Sequence, residues 1–414
     1  MAQWKRNLIV VMISQFLSAA GFMLVFPFIP YYFQELGVVD STRLKLMSSL
    51  FLTSGFLGLA LVSPFWGIMA DRFGRRLMLL RAGCMAALTL AIMGVVTSVE
   101  GLILLRFAQG LFSGTVPAAQ AFVATEAPIE KSGRAMGLLS TMVFSGMVFG
   151  PFAGGIIVEQ FGFSSAFFTA SGFLAISTLL IFVGTQENFP KRRQAQISPD
   201  IEQAGRPRER SPFWPITILV FTLAFTVQLD SALFPLLIQE IHGGIEGAAY
   251  WVGIASALVG VAGMVSGIAQ GRLADRHGAV CVSFCAVLAA SALMIPHAVA
   301  EKLPELLAIR FALVLCVGGV DPVFQSWLAK ITAWEKRGSV FGWASSVKSL
   351  AWTTAPLAGG ILASLFGLRF LYYLGSGLLV ILAGEIIIAN ESLAKASLRH
   401  DGMEQLPDPP VVKE

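Results

Sequence analysis

Long apolar runs follow one another along almost the whole chain, and they constrain its fold more than any other feature of the sequence. Runs of about 18 or more mostly apolar residues recur between Asn7 and Asn390, separated by short polar breaks. Each run is long enough to cross roughly 30 Å of hydrocarbon as a helix. Because the bilayer interior offers backbone amides no water, these runs must be helical. The sequence therefore predicts an all-α polytopic membrane protein.

Twelve spans can be placed along the chain, with only 13% charged residues overall. They cover about 7–31, 44–67, 77–97, 101–122, 136–158, 165–185, 213–237, 249–271, 279–299, 305–328, 339–362 and 369–390. The predicted domains are an amino-terminal six-helix bundle (1–185), a polar cytoplasmic linker (186–212), a carboxy-terminal six-helix bundle (213–390) and a disordered cytoplasmic tail (391–414).

The lysine and arginine residues are distributed unevenly between the two sides of the predicted bundle. The turns on one side carry only Arg43, Lys45, Lys302 and Arg369, and the amino end, the other turns, the linker and the tail carry most of the rest. This asymmetry predicts that both termini are cytoplasmic. We also expect the protein to lie in the plasma (inner) membrane. The basic residues are therefore interpreted as topology determinants, and no nucleic-acid partner is expected.

Several other classes of protein are disfavoured by what the sequence lacks. All four cysteines fall inside apolar spans, where a thiol behaves as a small hydrophobe, so no disulfide framework is implied. The histidines are scattered, and no phosphate-binding Gly-x-x-x-x-Gly-Lys-Ser/Thr loop is present. We therefore expect no enzyme, no metal and no cofactor, and transport energy would come from a gradient.

The two halves of the chain are copies of one repeat, at an offset of 204 to 205 residues. The segment from Gly67 to Gly74 recurs from Gly271 to Gly278, and Arg106 corresponds to Arg310. Each half has six spans, so both enter the membrane from the same side and the repeat axis lies along the membrane normal. This arrangement predicts a substrate site between the halves near the midplane.

Three motifs stand out within this repeat. The gate motif follows span two and recurs after span eight; it comprises Gly67, Asp71, Arg72, Gly74, Arg75 and Arg76, and then Gly271, Asp275, Arg276 and Gly278. The helix-four motif is Arg106, Gln109 and Gly110. The antiporter motif in span five is Gly137, Gly146, Gly150, Pro151, Gly154 and Gly155. Glycine permits tight turns and close helix packing, and a buried guanidinium needs a partner or a cavity.

These motifs, extending over nearly the whole chain, resemble the major facilitator superfamily and within it the twelve-helix drug:proton antiporters, particularly the MdtG-like multidrug transporters. The resemblance implies that the gate motif latches the cytoplasmic side, that Arg106 couples proton movement to substrate, and that the antiporter motif packs an interface against leak. The residues alone leave one alternative for each motif. The arginines of the gate motif could serve only as topology determinants, and Arg106 could snorkel to the outer interface. The antiporter motif could be an ordinary small-residue packing face.

Charged residues inside the spans are the candidates for proton coupling, namely Arg106, Asp230, Asp321 and Lys348. Asp230 in span seven is the best protonatable candidate, because burial raises the affinity of a carboxyl group for a proton. The alternative interpretation is that Asp230 is only an acid near the outer opening of the bundle, with no role in coupling. Asp321 and Lys348 lie at similar depths on adjacent spans, which favours an ion pair between them. Glu385 is expected to reach water at the inner end of span twelve.

Proton-coupled efflux of small, largely apolar drugs or metabolites by alternating access is the function that this sequence favours. The expected partners are a small-molecule substrate, protons and the lipid bilayer, and the protein is expected to be a monomer. One alternative is proton-coupled or facilitative uptake of a nutrient or metabolite. Another is a membrane receptor or assembly factor that keeps the fold without transport.

Overall fold

The computed structural model describes residues 3–126, 128–187, 213–332 and 337–404, and within these ranges the regular secondary structure is entirely helical. Ten of its helices are long and apolar enough to cross a membrane. One of them, within Ile129–Gly184, holds two spans, because Gly162 has a non-helical backbone (φ 78°, ψ 174°). A further span is divided into two shorter helices, Phe213–Gln228 and Phe234–His242. The described chain thus contains the twelve predicted spans.

The amino-terminal half contains spans one to six. Their helices are Gln3–Val25 with Ile29–Glu35, Ser41–Phe73, Arg75–Met93, Val99–Phe112 with Thr115–Glu126, and the two parts of Ile129–Gly184. The carboxy-terminal half contains spans seven to twelve. Their helices are Phe213–Gln228 with Phe234–His242, Ala248–His277, Ala279–Val299, Leu303–Val317 with Val320–Ile331, Arg337–Phe366, and Phe370–Glu404.

Spans one, four, seven and ten are each interrupted, although the sequence predicts continuous helices there. A 3-10 turn with Pro27 breaks span one, and Gly114, with φ 119°, lies in the break of span four between Phe112 and Thr115. Span seven is unwound between Gln228 and Phe234, just before Pro235, and span ten is interrupted between Val317 and Val320. Proline and glycine explain these breaks, because neither supports a regular helix interior. The repeat relates span one to span seven and span four to span ten, so the interruptions occur in corresponding spans of the two halves.

The predicted boundaries of the linker and the tail are only partly within the described residues. Residues 188–212 and 405–414 lie outside them. The helix of span twelve continues to Glu404, beyond the predicted end of the carboxy-terminal bundle at residue 390. The segment after Asn390 is rich in alanine, leucine, lysine and glutamate, so it continues as a helix even where its hydropathy falls.

The two halves contact each other at one end of the bundle, here called the far side. The opposite end, the termini side, is where Asn7 donates through Nδ2 to the Gln186 carbonyl at 2.7 Å. On the far side, Gln34 and Gln239 hydrogen-bond each other reciprocally at 2.7 and 2.8 Å. These two glutamines correspond in the repeat at the 205-residue offset.

Further contacts strengthen this far-side closure. The Tyr31 hydroxyl donates to the Pro235 carbonyl, and Lys45 Nζ donates to the Ala363 carbonyl at 3.3 Å. The backbone amide of Gly247 donates to Glu159 Oε1 at 2.6 Å. These hydrogen bonds between the halves therefore all lie at this end.

Candidate transport cavity

A cavity of about 620 Å³ lies between the two halves, and its walls differ in polarity. The amino-terminal wall is mostly apolar and consists of Val116, Gln120, Leu139, Ser140, Val143, Phe144 and Met147. The carboxy-terminal wall carries four charged side chains, Asp230, Arg310, Asp321 and Lys348, among apolar residues and Trp352. Volumes of roughly 300 to 1,000 Å³ are typical of small-molecule sites. The predicted site between the halves is therefore present as a cavity.

Asp230 and Arg310 form a buried ion pair at this wall. Arg310 Nη1 lies 2.7 Å and Nη2 3.4 Å from the two carboxylate oxygens of Asp230. The side chains are only 7% and 14% exposed, respectively. Asp230 lies in the unwound segment of span seven, where its backbone carbonyl accepts bonds from the amides of Leu233 and Phe234. The sequence identified both charges but did not pair them.

Asp321 and Lys348 form the ion pair that their similar depths predict. Lys348 Nζ lies 2.7 Å from Asp321 Oδ2, and the side chains are 26% and 34% exposed. The ammonium group also lies 5.3 Å from the ring centroid of Trp352. This pair is more exposed than the pair of Asp230 and Arg310, and both pairs line the cavity.

Arg106 lies inside the amino-terminal bundle and is not among the residues that line the cavity. Its guanidinium carbon lies 3.8 Å from the ring centroid of Phe26, and Nη1 donates to Gln109 Oε1 at 2.5 Å. Its Nε atom is buried without a hydrogen-bond partner among the described residues. A Cβ atom at Gly55 would contact this group, so the glycine makes room for it. This placement disfavours the alternative that Arg106 snorkels to the outer interface.

His297 and Tyr372 join the charged cluster, although the sequence reading set the histidine aside as scattered. The two rings lie 4.3 Å apart between centroids, and His297 is 1% exposed. Both side chains interact electrostatically with Asp230 and Arg310. The available signal was a histidine inside an apolar span, which is unusual enough to flag a site.

The gate motif holds the start of span three. Gly74 has φ 94° and Gly278 has φ 88°, a region that favours glycine, so both copies form the same tight turn. The Glu187 carboxylate accepts from the backbone amides of Arg75 and Arg76, both at 2.9 Å. This carboxylate at a helix amino terminus was not predicted. The side chain of Asp71 and the surroundings of Gly67 lie outside the described residues.

The arginines of the motif tie span three to its neighbours. Arg76 donates to Thr185 Oγ1 at 3.1 Å and to the Phe182 carbonyl at 2.6 Å, at the end of span six. Arg75 donates to the Ala121 carbonyl at 3.2 Å in span four. In the second copy, Ala279 and Val280 replace the arginines. These contacts join spans within the amino-terminal half.

The antiporter motif packs mainly against span one. Cβ atoms at Gly146, Gly150 and Gly154 would collide with the backbone carbonyls of Phe16, Ala20 and Leu24, respectively. Gly155 instead faces the Ala249 carbonyl and the Gly253 Cα atom of span eight, in the other half. The motif therefore forms one close interface within its own bundle and contributes Gly155 to the far-side closure.

Glu385 contacts span seven, which the sequence did not predict. Its Oε1 atom accepts from Thr222 Oγ1 at 3.3 Å. Its Oε2 atom is buried without a hydrogen-bond partner among the described residues. The side chain turns toward span seven because Thr222 offers it a donor there.

Comparisons with known proteins agree with this architecture. The sequence model of the Major Facilitator Superfamily matches residues 11–301 and 271–395. Multidrug resistance protein MdtG of Salmonella paratyphi A is 32% identical over 382 residues, which are 91% of this chain and 93% of that protein. The Citrobacter koseri protein of the same name is 33% identical over 379 residues, with the same coverage.

Solved structures share the fold at low sequence identity. A bacterial homologue of the human lysosomal transporter Spinster, in an inward-facing and occupied conformation, has a TM-score of 0.79 at 15% identity and covers 95% of this chain and 98% of its own. The nucleoside transporter NupG has a TM-score of 0.76 at 12% identity and covers 92% and 99%. With the family model and the relatives, these matches confirm the predicted resemblance: the chain belongs to the major facilitator superfamily.

Proposed function

We propose that this protein exports small, largely apolar molecules from the cytoplasm in exchange for protons, by alternating access. The observation that carries this proposal is the buried ion pair of Asp230 and Arg310 on the wall of a cavity between the two halves. The relatives that are named multidrug resistance protein support export of drug-like compounds.

Protonation of Asp230 is the step that would connect the two fluxes. A proton on the carboxyl group removes its negative charge and weakens its attraction to Arg310. The guanidinium group then needs another partner, since an unpaired charge in a dry site is unfavourable. The proton and the substrate therefore change the same charged wall, which is the physical requirement for coupling between them.

The cavity walls support a substrate with an apolar body and a polar group. Phe144, Met147 and their apolar neighbours would contact the body. The polar group would face Asp321 and Lys348, which are partly exposed to the cavity. Both walls come from one chain, so a monomer suffices for the site.

The lysine and arginine distribution supports placing both termini on the cytoplasmic side of the membrane, which we take to be the plasma (inner) membrane. The cavity lining extends toward the termini side through Leu139 and Ser140 of span five, so this end of the cavity would then face the cytoplasm, where an exporter collects its substrate. Under this orientation, the far-side contacts close the cavity to the exterior.

The test is substrate-triggered proton release from inverted membrane vesicles that are held acidic inside. We expect lipophilic compounds to alkalinise the lumen with the parent protein, and we expect Asp230→Asn and Arg106→Ala to abolish this response. Glu301→Gln is the matched control, because Glu301 is exposed in a far-side turn. Substrate movement without any opposing proton flux would refute exchange and favour the uptake alternative.

A further inference from the structure

A second cavity lies on the termini side between spans one and five, and the proposed exchange gives it no role. Its volume is about 370 Å³. We call it the termini-side groove, and its main lining residues are Trp4, Lys5, Leu8 and Ile9 of span one with Lys131 and Leu138 of span five. Among the described residues, it shares none of its lining with the transport cavity. The groove is therefore a separate candidate site.

The groove is cationic at one end and apolar at the other. Lys5 and Lys131 lie near the starts of their helices, which begin at Gln3 and Ile129 on the termini side. Because both spans cross the membrane in the same direction, the residues that follow lie deeper. Leu138 is seven residues beyond Lys131, or roughly 10 Å further along the helix. The cationic end therefore lies at the membrane surface, and the apolar end lies toward the hydrocarbon.

One aromatic ring holds both lysines at the surface end. The Nζ atoms of Lys5 and Lys131 each lie 5.8 Å from the centroid of the Trp4 ring, a distance at which a cation is attracted to an aromatic face. Both lysines are exposed, and neither ammonium group pairs with a carboxylate among the described residues. The described lining of the groove also contains no acidic residue. Two neighbouring cations without a counter-ion favour an anionic ligand.

The apolar end of the groove favours a ligand that also has a hydrocarbon part. Ile9 and Leu138 are 45% and 40% exposed, so apolar surface is left uncovered there by the protein. A phosphate ion would leave this surface bare, whereas a phospholipid would cover it with an acyl chain. Basic pockets between membrane spans are typical binding sites for anionic lipid headgroups. The two helix starts add the positive ends of their dipoles at the same level.

We propose that the termini-side groove binds one anionic phospholipid of the adjoining leaflet. The lipid phosphate lies between the ammonium groups of Lys5 and Lys131, and an acyl chain follows Leu8, Ile9 and Leu138. A lipid in this position joins the starts of two spans of the same half, so its binding should stabilise the folded protein. A zwitterionic phospholipid with the same chains offers the same apolar contact without net negative charge, so the headgroup charge is the source of selectivity.

Lipid titration of the full-length protein in detergent, followed by native mass spectrometry, tests the proposal. We expect phosphatidylglycerol to bind more tightly than phosphatidylcholine with the same acyl chains. Lys5→Gln and Lys131→Gln should each weaken phosphatidylglycerol binding by roughly fivefold, and the double variant by roughly 25-fold, since a lysine near an anionic lipid surface contributes on that scale. Arg272→Gln is the matched control: it removes an exposed positive charge on the same side but outside the groove, and it should leave binding unchanged.

Two further variants keep both positive charges and separate the groove from general attraction to a basic surface. Leu138→Trp should fill the apolar end and weaken phosphatidylglycerol binding by at least roughly tenfold, the scale of one lost apolar side-chain contact. Replacing both lysines by arginine should leave binding close to that of the parent. Equal binding of the two lipids, full binding by the double glutamine variant or by Leu138→Trp, or an equal loss in Arg272→Gln would overturn the proposal.

Competition distinguishes a lipid from a free anion as the occupant. Millimolar inorganic phosphate should not displace phosphatidylglycerol, and displacement would assign the lysines to a free anion and refute the lipid site. Thermal unfolding gives a second readout, because phosphatidylglycerol should raise the Tm of the parent more than that of the double glutamine variant. Neither measurement involves protons or a transported substrate, so this proposal and the proposed exchange can each fail without the other.

Discussion

Two adjacent glycines, Gly154 and Gly155, allow the far-side closure to be perturbed separately from the bundle. A Cβ atom at Gly155 would lie 2.7 Å from the Ala249 carbonyl oxygen and 3.4 Å from the Gly253 Cα atom, both in the other half. A Cβ atom at Gly154 would instead collide with the Leu24 carbonyl group of span one, in the same half. Gly155→Ala should therefore disfavour only the far-side-closed state.

The size of the effect follows from these distances. Ordinary Cβ contacts lie at 3.4–4 Å, so the 2.7 Å approach at Gly155 forces spans five and eight apart. Overpacking of this kind costs about 1–3 kcal/mol, which changes a two-state population ratio by roughly 5- to 150-fold. Both variants are glycine-to-alanine changes in one helix, so their gain in helix propensity is similar and cancels in the comparison.

Spin-label distance measurements can read out this change. Val39 and Ile245 are exposed on the far side of the two halves, and labels there can be placed after the four native cysteines are replaced. We expect Gly155→Ala to populate a longer label distance than the parent, and Gly154→Ala to lower thermal stability without changing the distance distribution. If Gly155→Ala kept the parent distribution, or if Gly154→Ala produced the shift, the assignment of Gly155 to the closure would be refuted.

Three further experiments test individual contacts. Glu187→Gln should weaken the cap on span three and lower stability by about 0.5–1 kcal/mol, measured by thermal unfolding in detergent. Lys348→Met leaves the Asp321 carboxylate without its ion-pair partner at the cavity wall, so it should weaken substrate binding and lower stability. Adding Asp321→Asn should restore stability. Calorimetry measures the binding and thermal unfolding the stability, and a double variant as unstable as Lys348→Met would argue against the ion pair. Arg106→Ala should retain substrate binding but lose proton-driven transport in vesicles, and retained proton drive would contradict a coupling role.

The number of spans and the repeat could be predicted because hydropathy and residue spacing are local in sequence. The ion pair of Asp321 and Lys348 could also be expected, since depth along neighbouring spans is a one-dimensional property. The pair of Asp230 and Arg310 was missed because it depends on the unwinding of span seven, which moves the carboxylate away from its helical position. Helix breaks of this kind depend on packing with other spans, which spacing alone does not report.

The role of a glycine or histidine depends still more on its neighbours. The spacing of Gly146, Gly150 and Gly154 predicts close packing, but it does not identify span one as the partner. His297 is scattered in sequence because the groups around it come from spans seven, ten and twelve. Such a cluster forms only when the bundle closes around it.

The reciprocal hydrogen bonds of Gln34 and Gln239 make the far-side seal behave like the contact between two identical subunits. Because repeat-equivalent side chains bind each other, the contact is self-complementary, as at a two-fold axis. Each amide is donor and acceptor for the other, so neither bond can persist once the two side chains part. Both bonds are then lost together, and this part of the seal is either fully formed or fully broken. Such a contact favours an abrupt transition between closed and open states over a gradual separation of the halves.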